Sequence, residues 1–156
     1  MEKYILWGLL LLGLVLLILS FKKSRNITQW LLIFFMQAYF STFIGVIVVE
    51  KKMVEYPVKF LPHFFETSIL YEYLLFPVVN IYYYQTTYHS KLFGIIIQTL
   101  FYSAGLTILE VGVFEKYTEL VEYHAWTWIH TFSSIFLLML FIRGMMKLVC
   151  KISNKE

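Results

Sequence analysis

The chain has 156 residues, of which 60% are hydrophobic and 15% charged, and its mean hydropathy is +0.70. That composition lies far from the soluble average and makes lipid, not water, the solvent for most of the chain. The net charge of +3 is small, with its basic residues gathered at the ends of apolar stretches, which excludes nucleic acid as a partner; a single cysteine, Cys150, excludes an intrachain disulfide.

Five apolar stretches follow in chain order: Tyr4 to Phe21, Ile27 to Val49, Phe64 to Tyr84, Leu92 to Val113 and Ala125 to Val149. A helix rises about 1.5 Å per residue, so roughly 20 such residues cover a hydrocarbon core of about 30 Å. The predicted fold is therefore all-α, a polytopic bundle of five transmembrane helices forming one membrane domain over residues 1–156. The connections between the stretches are too short to bury a core of their own, and no internal repeat divides the chain into two halves. The first stretch ends in Ser20-Phe21-Lys22-Lys23, with no small-x-small site and with its positive charge after the apolar run. It reads as a retained anchor, not a cleaved signal.

Charge sets the expected orientation. With the N-terminus outside, Lys22, Lys23, Arg25, Lys91, Arg143, Lys147, Lys151 and Lys155 fall on the cytoplasmic side, against Lys3, Lys51, Lys52, Lys59 and Lys116 outside. Lys/Arg excess marks the cytoplasmic face, so the predicted topology is N-out, C-in. Before the third stretch, Tyr56-Pro57-Val58-Lys59-Phe60-Leu61-Pro62-His63-Phe64-Phe65 alternates prolines with large apolar residues and reads as an interfacial segment. Pro62 suits the first turn of the third helix, with Glu66 near its positive dipole end.

Ionisable groups inside a bilayer cost several kcal/mol unless paired, hydrated or neutralised, so each such residue marks a place to look for a site. In the third stretch Glu72, Phe76 and Asn80 share a sector of about 80°, and Pro77 cannot donate to the Tyr73 carbonyl, which is expected to leave a free acceptor beside Glu72. In the fourth, Thr99, Ser103, Thr107 and Glu110 form one polar stripe that also suits close helix packing. In the fifth, Thr127, His130, Thr131 and Ser134 share about 100°. Under the N-out topology Glu72, Glu110 and His130 all lie in the outer half of the membrane, so the expected site is a polar cluster of Glu72, Asn80, Glu110 and His130. Such a cluster holds a proton, binds a cation, supports acid–base chemistry or locks helices together. The spacing of its carboxylates and histidine is not that of a metal site, and no HExxH, GxSxG or phosphate-loop motif is present. No metal and no cofactor are expected.

The runs Tyr56-Pro57-Val58-Lys59-Phe60-Leu61-Pro62, Tyr71-Glu72-Tyr73-Leu74-Leu75-Phe76-Pro77 and Gln85-Thr86-Thr87-Tyr88, with Trp126-Thr127-Trp128-Ile129-His130 and Phe141-Ile142-Arg143-Gly144, resemble an uncharacterised family of small multi-pass integral membrane proteins of spore-forming Gram-positive bacteria. The similarity covers nearly the whole chain except the first helix. It implies the bacterial plasma membrane and carries no assigned activity. Three functions are compatible with the residues. The leading expectation is a non-catalytic membrane protein acting by interaction or sensing through its internal Glu/His cluster. The others are a small oligomeric proton- or cation-coupled transporter and a membrane-embedded enzyme acting on a lipid or isoprenoid. Expected partners are the lipid bilayer and a second copy or another membrane protein.

Overall fold

The computed structural model describes residues 1–22, 26–59, 61–118 and 120–155. Lys23 and Arg25 of the charge count, and Phe60 of the interfacial run, lie outside the described residues. Helix α1 is Glu2–Lys22 and α2 is Ile27–Glu50. Helix α2 ends in a Schellman turn, in which Lys52 N–H donates to the Val49 carbonyl at 2.8 Å and Met53 N–H to the Val48 carbonyl at 3.1 Å. Lys52 takes the left-handed conformation that such a turn requires, at φ 53°. The chain passes at once into strand β1 (Val54–Glu55).

A π-helical turn, Leu70–Leu75, continues without a break into α3, Phe76–Thr87. Helix α4, Leu92–Thr107, widens into a second π-helical segment, Ile108–Glu115. Strand β2 (Glu122–Tyr123) and helix α5 (Trp128–Ser153) complete the order. Three helices, Glu2–Lys22, Ile27–Glu50 and Leu92–Glu115, are long and apolar enough to cross a membrane, and they mark the chain as a membrane protein. Their outward faces carry large apolar side chains, Leu11, Phe35 and Phe101 among them.

The third helix begins at Leu70, not at Phe64. Ahead of it Leu61 is left-handed at φ 54°, and its carbonyl accepts from Phe64 and Phe65 N–H at 3.1 and 3.3 Å. Pro62 therefore opens an isolated turn and not the helix. Glu66 is exposed outside the helix, and its carbonyl accepts from Lys59 Nζ at 3.1 Å. The fifth helix starts at Trp128, because Thr127 keeps an extended backbone at φ −128°, ψ 166°.

The two strands pair antiparallel, Val54 opposite Tyr123 and Glu55 opposite Glu122, and so join the α2–α3 connection to the α4–α5 connection at one end of the bundle. Helix α2 packs on α3 and α5, α4 on α5, and α1 on α3 with its π turn. Away from the ribbon the interior is closed by Ile33, Ile81, Met139, Ile142 and Met146, all buried. Under the ribbon, Leu6, Val54, Leu70, Leu120 and Val121 form a second apolar cluster.

Polar groups between helices are matched in pairs. Asn80 Nδ2 donates to Gln37 Oε1 at 2.6 Å, and the Tyr83 and Thr99 hydroxyls lie 2.7 Å apart. Arg143 of α5 donates to the Thr87 carbonyl at 2.6 Å, where the C-terminal end of α3 favours a cation, and stacks 4.7 Å from the Tyr84 ring centre. The stripe of α4 faces inward, with Thr99, Ser103 and Thr107 all buried, whereas Gly105 has open space where a Cβ would stand. Ser103→Leu is expected to destabilise the protein by about 1–3 kcal/mol, the usual cost of overpacking, while Gly105→Ala leaves stability unchanged or raises it. Thermal unfolding of both variants in one detergent checks this; equal tolerance of the two would show that the Ser103 face is not a packing seam.

Candidate functional site

The two carboxylates inside the bundle both sit on the π-helical segments. Opening the backbone from an i−4 to an i−5 register widens the helix and lets it carry a side chain that an α-helical turn would place elsewhere. At the first segment, Phe76 N–H donates to the Tyr71 carbonyl, five residues back. In that register the Glu72 carbonyl would be served by residue 77, which is a proline with no N–H. The Ser41 hydroxyl of α2 donates to it instead, at 3.0 Å. Glu72 itself is 4% exposed. Its carboxyl lies against Gly45 of α2, where a Cβ would come 2.7 Å from Cδ. Only glycine leaves room there. The Thr67 hydroxyl also lies beside this carboxyl, but Glu72 Oε2 is buried with no hydrogen-bond partner.

Glu110, on the second segment, is 8% exposed and fully engaged. Its Oε1 accepts from the Tyr123 hydroxyl at 2.5 Å and its Oε2 from the Tyr71 hydroxyl at 3.3 Å. Tyr123 reaches inward from strand β2, and its hydroxyl is 2.8 Å from that of Thr131, which also accepts from Trp126 Nε1 at 2.8 Å. Burial and then the Glu110 charge raise the Tyr123 phenol above its ordinary range. The Tyr56 phenol is pushed well up by burial and then by Glu110 and Glu72. Both phenols stay protonated, and Tyr123 is the neutral donor to Glu110.

Glu72 and Glu110 face one partly open cavity of about 90 Å³, a chamber bordered by α2, the two π segments, α5 and the ribbon. That volume exceeds the space of a single water. Ser41, Gly45, Tyr71, Phe76, Trp126 and Ser134 contribute to its wall, and among the described residues no Lys, Arg or His does. On the far side of Tyr56 lies a vestibule of about 430 Å³, whose charged residues are Glu50, Glu55, Glu66 and Glu122 with Lys52 and Lys59. Tyr56 borders both spaces. Glu55, Glu122 and His124 bring ligand atoms within 4.8 Å of one another, but all three are exposed, and solvated acidic groups often stand so without an ion.

Of the residues singled out from sequence, Glu72 and Glu110 come to the same chamber and the others do not. Asn80 is two turns deeper and bonded to Gln37. His130 is exposed, its Nδ1 is 2.8 Å from the Thr127 hydroxyl, and its ring rests 5.1 Å from that of Trp126. The reason is the helix start: His130 falls in the first turn of α5, and the next residue, rotated by about 100°, faces the interior. Thr131 is thus the inward group of this sector. Tyr71, Tyr123, Tyr56 and Gly45 carry no signal by type alone. Tyr71 adjoins Glu72 in sequence, but Tyr123 reaches Glu110 through the β1–β2 pairing, which four short residues do not announce.

The class these features define is a helical membrane protein with an internal carboxyl chamber beneath a two-stranded ribbon. Compared with family models, with curated proteins and with solved structures, the chain finds no match.

Removing Glu110 would strand two phenols in the interior. Glu110→Leu is expected to cost about 1–3 kcal/mol for each unsatisfied partner, whereas Glu110→Gln, which keeps an acceptor, costs less than half as much. Urea or thermal unfolding of the purified variants measures the difference, and equal losses would mean that the phenols find other partners.

Proposed function

We propose that this chain is a five-span integral protein of the bacterial plasma membrane, N-out and C-in, that acts without catalysis as a binding or sensing protein through its carboxyl chamber. The observation that carries this reading is the unpartnered Oε2 of Glu72, buried on the wall of a space larger than one water. A buried polar atom without a partner costs roughly 1–3 kcal/mol, and an entering ligand is the natural recipient of the missing bond. A plain structural lock would instead satisfy every member, as happens at Glu110.

Two features favour binding over the alternatives. The expected acid–base pair of His130 with a carboxylate is not assembled, since His130 is exposed and turns to Thr127. Toward the opposite end the bundle is filled by Ile33, Ile81, Met139, Ile142 and Met146, with its polar groups bonded across helices as in Asn80–Gln37 and Tyr83–Thr99. The five-span topology is supported by the ribbon, because pairing of the α2–α3 and α4–α5 connections requires them to lie on the same side. Helices α3 and α5 lie packed among the three helices long and apolar enough to cross a membrane.

Single cysteines replacing Lys52 and Lys151, in a Cys150→Ser background, test the topology. An impermeant maleimide applied to intact cells is expected to label position 52 and not position 151; the reverse pattern would overturn the orientation. Glu72→Gln separates a site from a lock. The variant is expected to fold with a Tm within about 3 °C of the parent, under about 1 kcal/mol for a chain of this size, and to lose the cellular phenotype that the intact gene complements. Full complementation by Glu72→Gln would identify the chamber as structural only.

A further inference from the structure

The free hydrogen-bonding capacity of the chamber narrows what it can bind. Both oxygens of Glu110 are taken by phenols, the Ser41 hydroxyl is committed to the Glu72 carbonyl, and the Thr131 hydroxyl is shared by Tyr123 and Trp126. What remains on the wall is Glu72 Oε2, with the Ser134 and Tyr56 hydroxyls beside the chamber. A hard metal cation needs about six oxygen ligands and is poorly served by one or two. The rest of the wall is apolar or aromatic: Ile44, Val48, Ile135 and Leu138, with Tyr71, Phe76 and Trp126. Such a lining strips water from a guest without replacing it, which a small inorganic ion resists.

The electrostatics point to a cation all the same. Two glutamates face the chamber and no basic side chain among the described residues offsets them. The vestibule beyond Tyr56 adds four glutamates against two lysines, an imbalance that raises the local concentration of cations at the mouth. An organic ammonium satisfies every condition at once. Its N–H groups donate to the one open carboxylate oxygen and to a hydroxyl. Its positive charge lies against aromatic faces, and its alkyl part lies against the aliphatic wall.

We propose that the chamber binds a primary alkylammonium of a few heavy atoms, with Glu72 as its counter-charge and with entry from the acidic vestibule past Tyr56. The volume of about 90 Å³ admits such a cation. The inference rests on the binding reading given above and adds the chemical class of the guest. Gly45 belongs to the site as well, since any Cβ there would displace the Glu72 carboxyl from its position.

The test uses the full chain in nanodiscs, titrated with ethylammonium chloride and, in separate arms, with sodium chloride at matched ionic strength and with ethanol. Ethylammonium is expected to raise the Tm saturably, and neither sodium nor ethanol to do so. Glu72→Gln is expected to weaken the ethylammonium midpoint at least tenfold. Should that variant fail to fold, Ser134→Ala removes only a hydroxyl and is expected to weaken it about threefold. Tyr56→Ala is expected to speed ethylammonium uptake measured by stopped-flow tryptophan fluorescence. The absence of a saturable ethylammonium response, or an unchanged midpoint in both Glu72→Gln and Ser134→Ala, overturns the proposal. A saturable sodium response that Glu72→Gln abolishes overturns the ammonium class and leaves the chamber a cation site. The topology map and the Glu72→Gln complementation are read independently of these arms.

Discussion

The Ser41 hydroxyl bonded to the Glu72 carbonyl is the contact on which the interior depends. A membrane-buried helix has no water to satisfy a backbone group that its own ladder misses, so a lost backbone bond has to be replaced by a neighbour. Pro77 forces that loss, and the π turn before it moves the orphaned carbonyl to Glu72. One hydroxyl from α2 then fixes both the register of α3 against α2 and the direction of the Glu72 side chain. The Gly45 gap beside it receives the carboxyl. Backbone irregularity and buried charge thus arise from one local cause.

The second glutamate shows a different solution to the same cost. Glu110 is surrounded by donors drawn from two distant parts of the chain, Tyr71 on the first π segment and Tyr123 on the ribbon. Two phenols spread the charge of a carboxylate, or accommodate its proton, without bringing a second formal charge into the interior. The contrast between a saturated Glu110 and an unsaturated Glu72 within one chamber makes the space directional. One end is a finished structural element and the other has a bond to offer.

The ribbon, although only two residues on each strand, decides what its end of the bundle does. It places Glu55 opposite Glu122, a like-charge pair that disfavours the strand pairing itself. The pairing persists because Val54 is buried beneath it, with Tyr123 half-buried opposite, and because His124 and Ala125 N–H both donate to the Met53 carbonyl. The acidic residues left at the surface line the vestibule, so the stability of this lid and the charge of the entrance come from opposite faces of the same short strands.

By itself the sequence determined the solvent, the helical class and the presence of inward carboxylates. Length and apolarity decide where a chain can enter lipid, and Glu72 and Glu110 are conspicuous for being ionisable in such stretches. The inward stripe of Thr99, Ser103 and Thr107 was equally legible, since helical periodicity alone sets it. The start of the third helix was not, because Leu61 and Pro62 form a local turn, with Leu61 left-handed and its carbonyl taken by Phe64 and Phe65 N–H, that helical periodicity does not announce. His130 shows the limit of spacing arguments: a shift of the helix start by three residues moves one side chain from a shared sector to a solvated cap. Only the tertiary structure decided which polar groups meet. The partners of Glu110 come from residues 71 and 123, and the cradle of Glu72 from residue 45. Side-chain periodicity describes one helix at a time, whereas these contacts depend on the relative rotation of helices that π segments have reset.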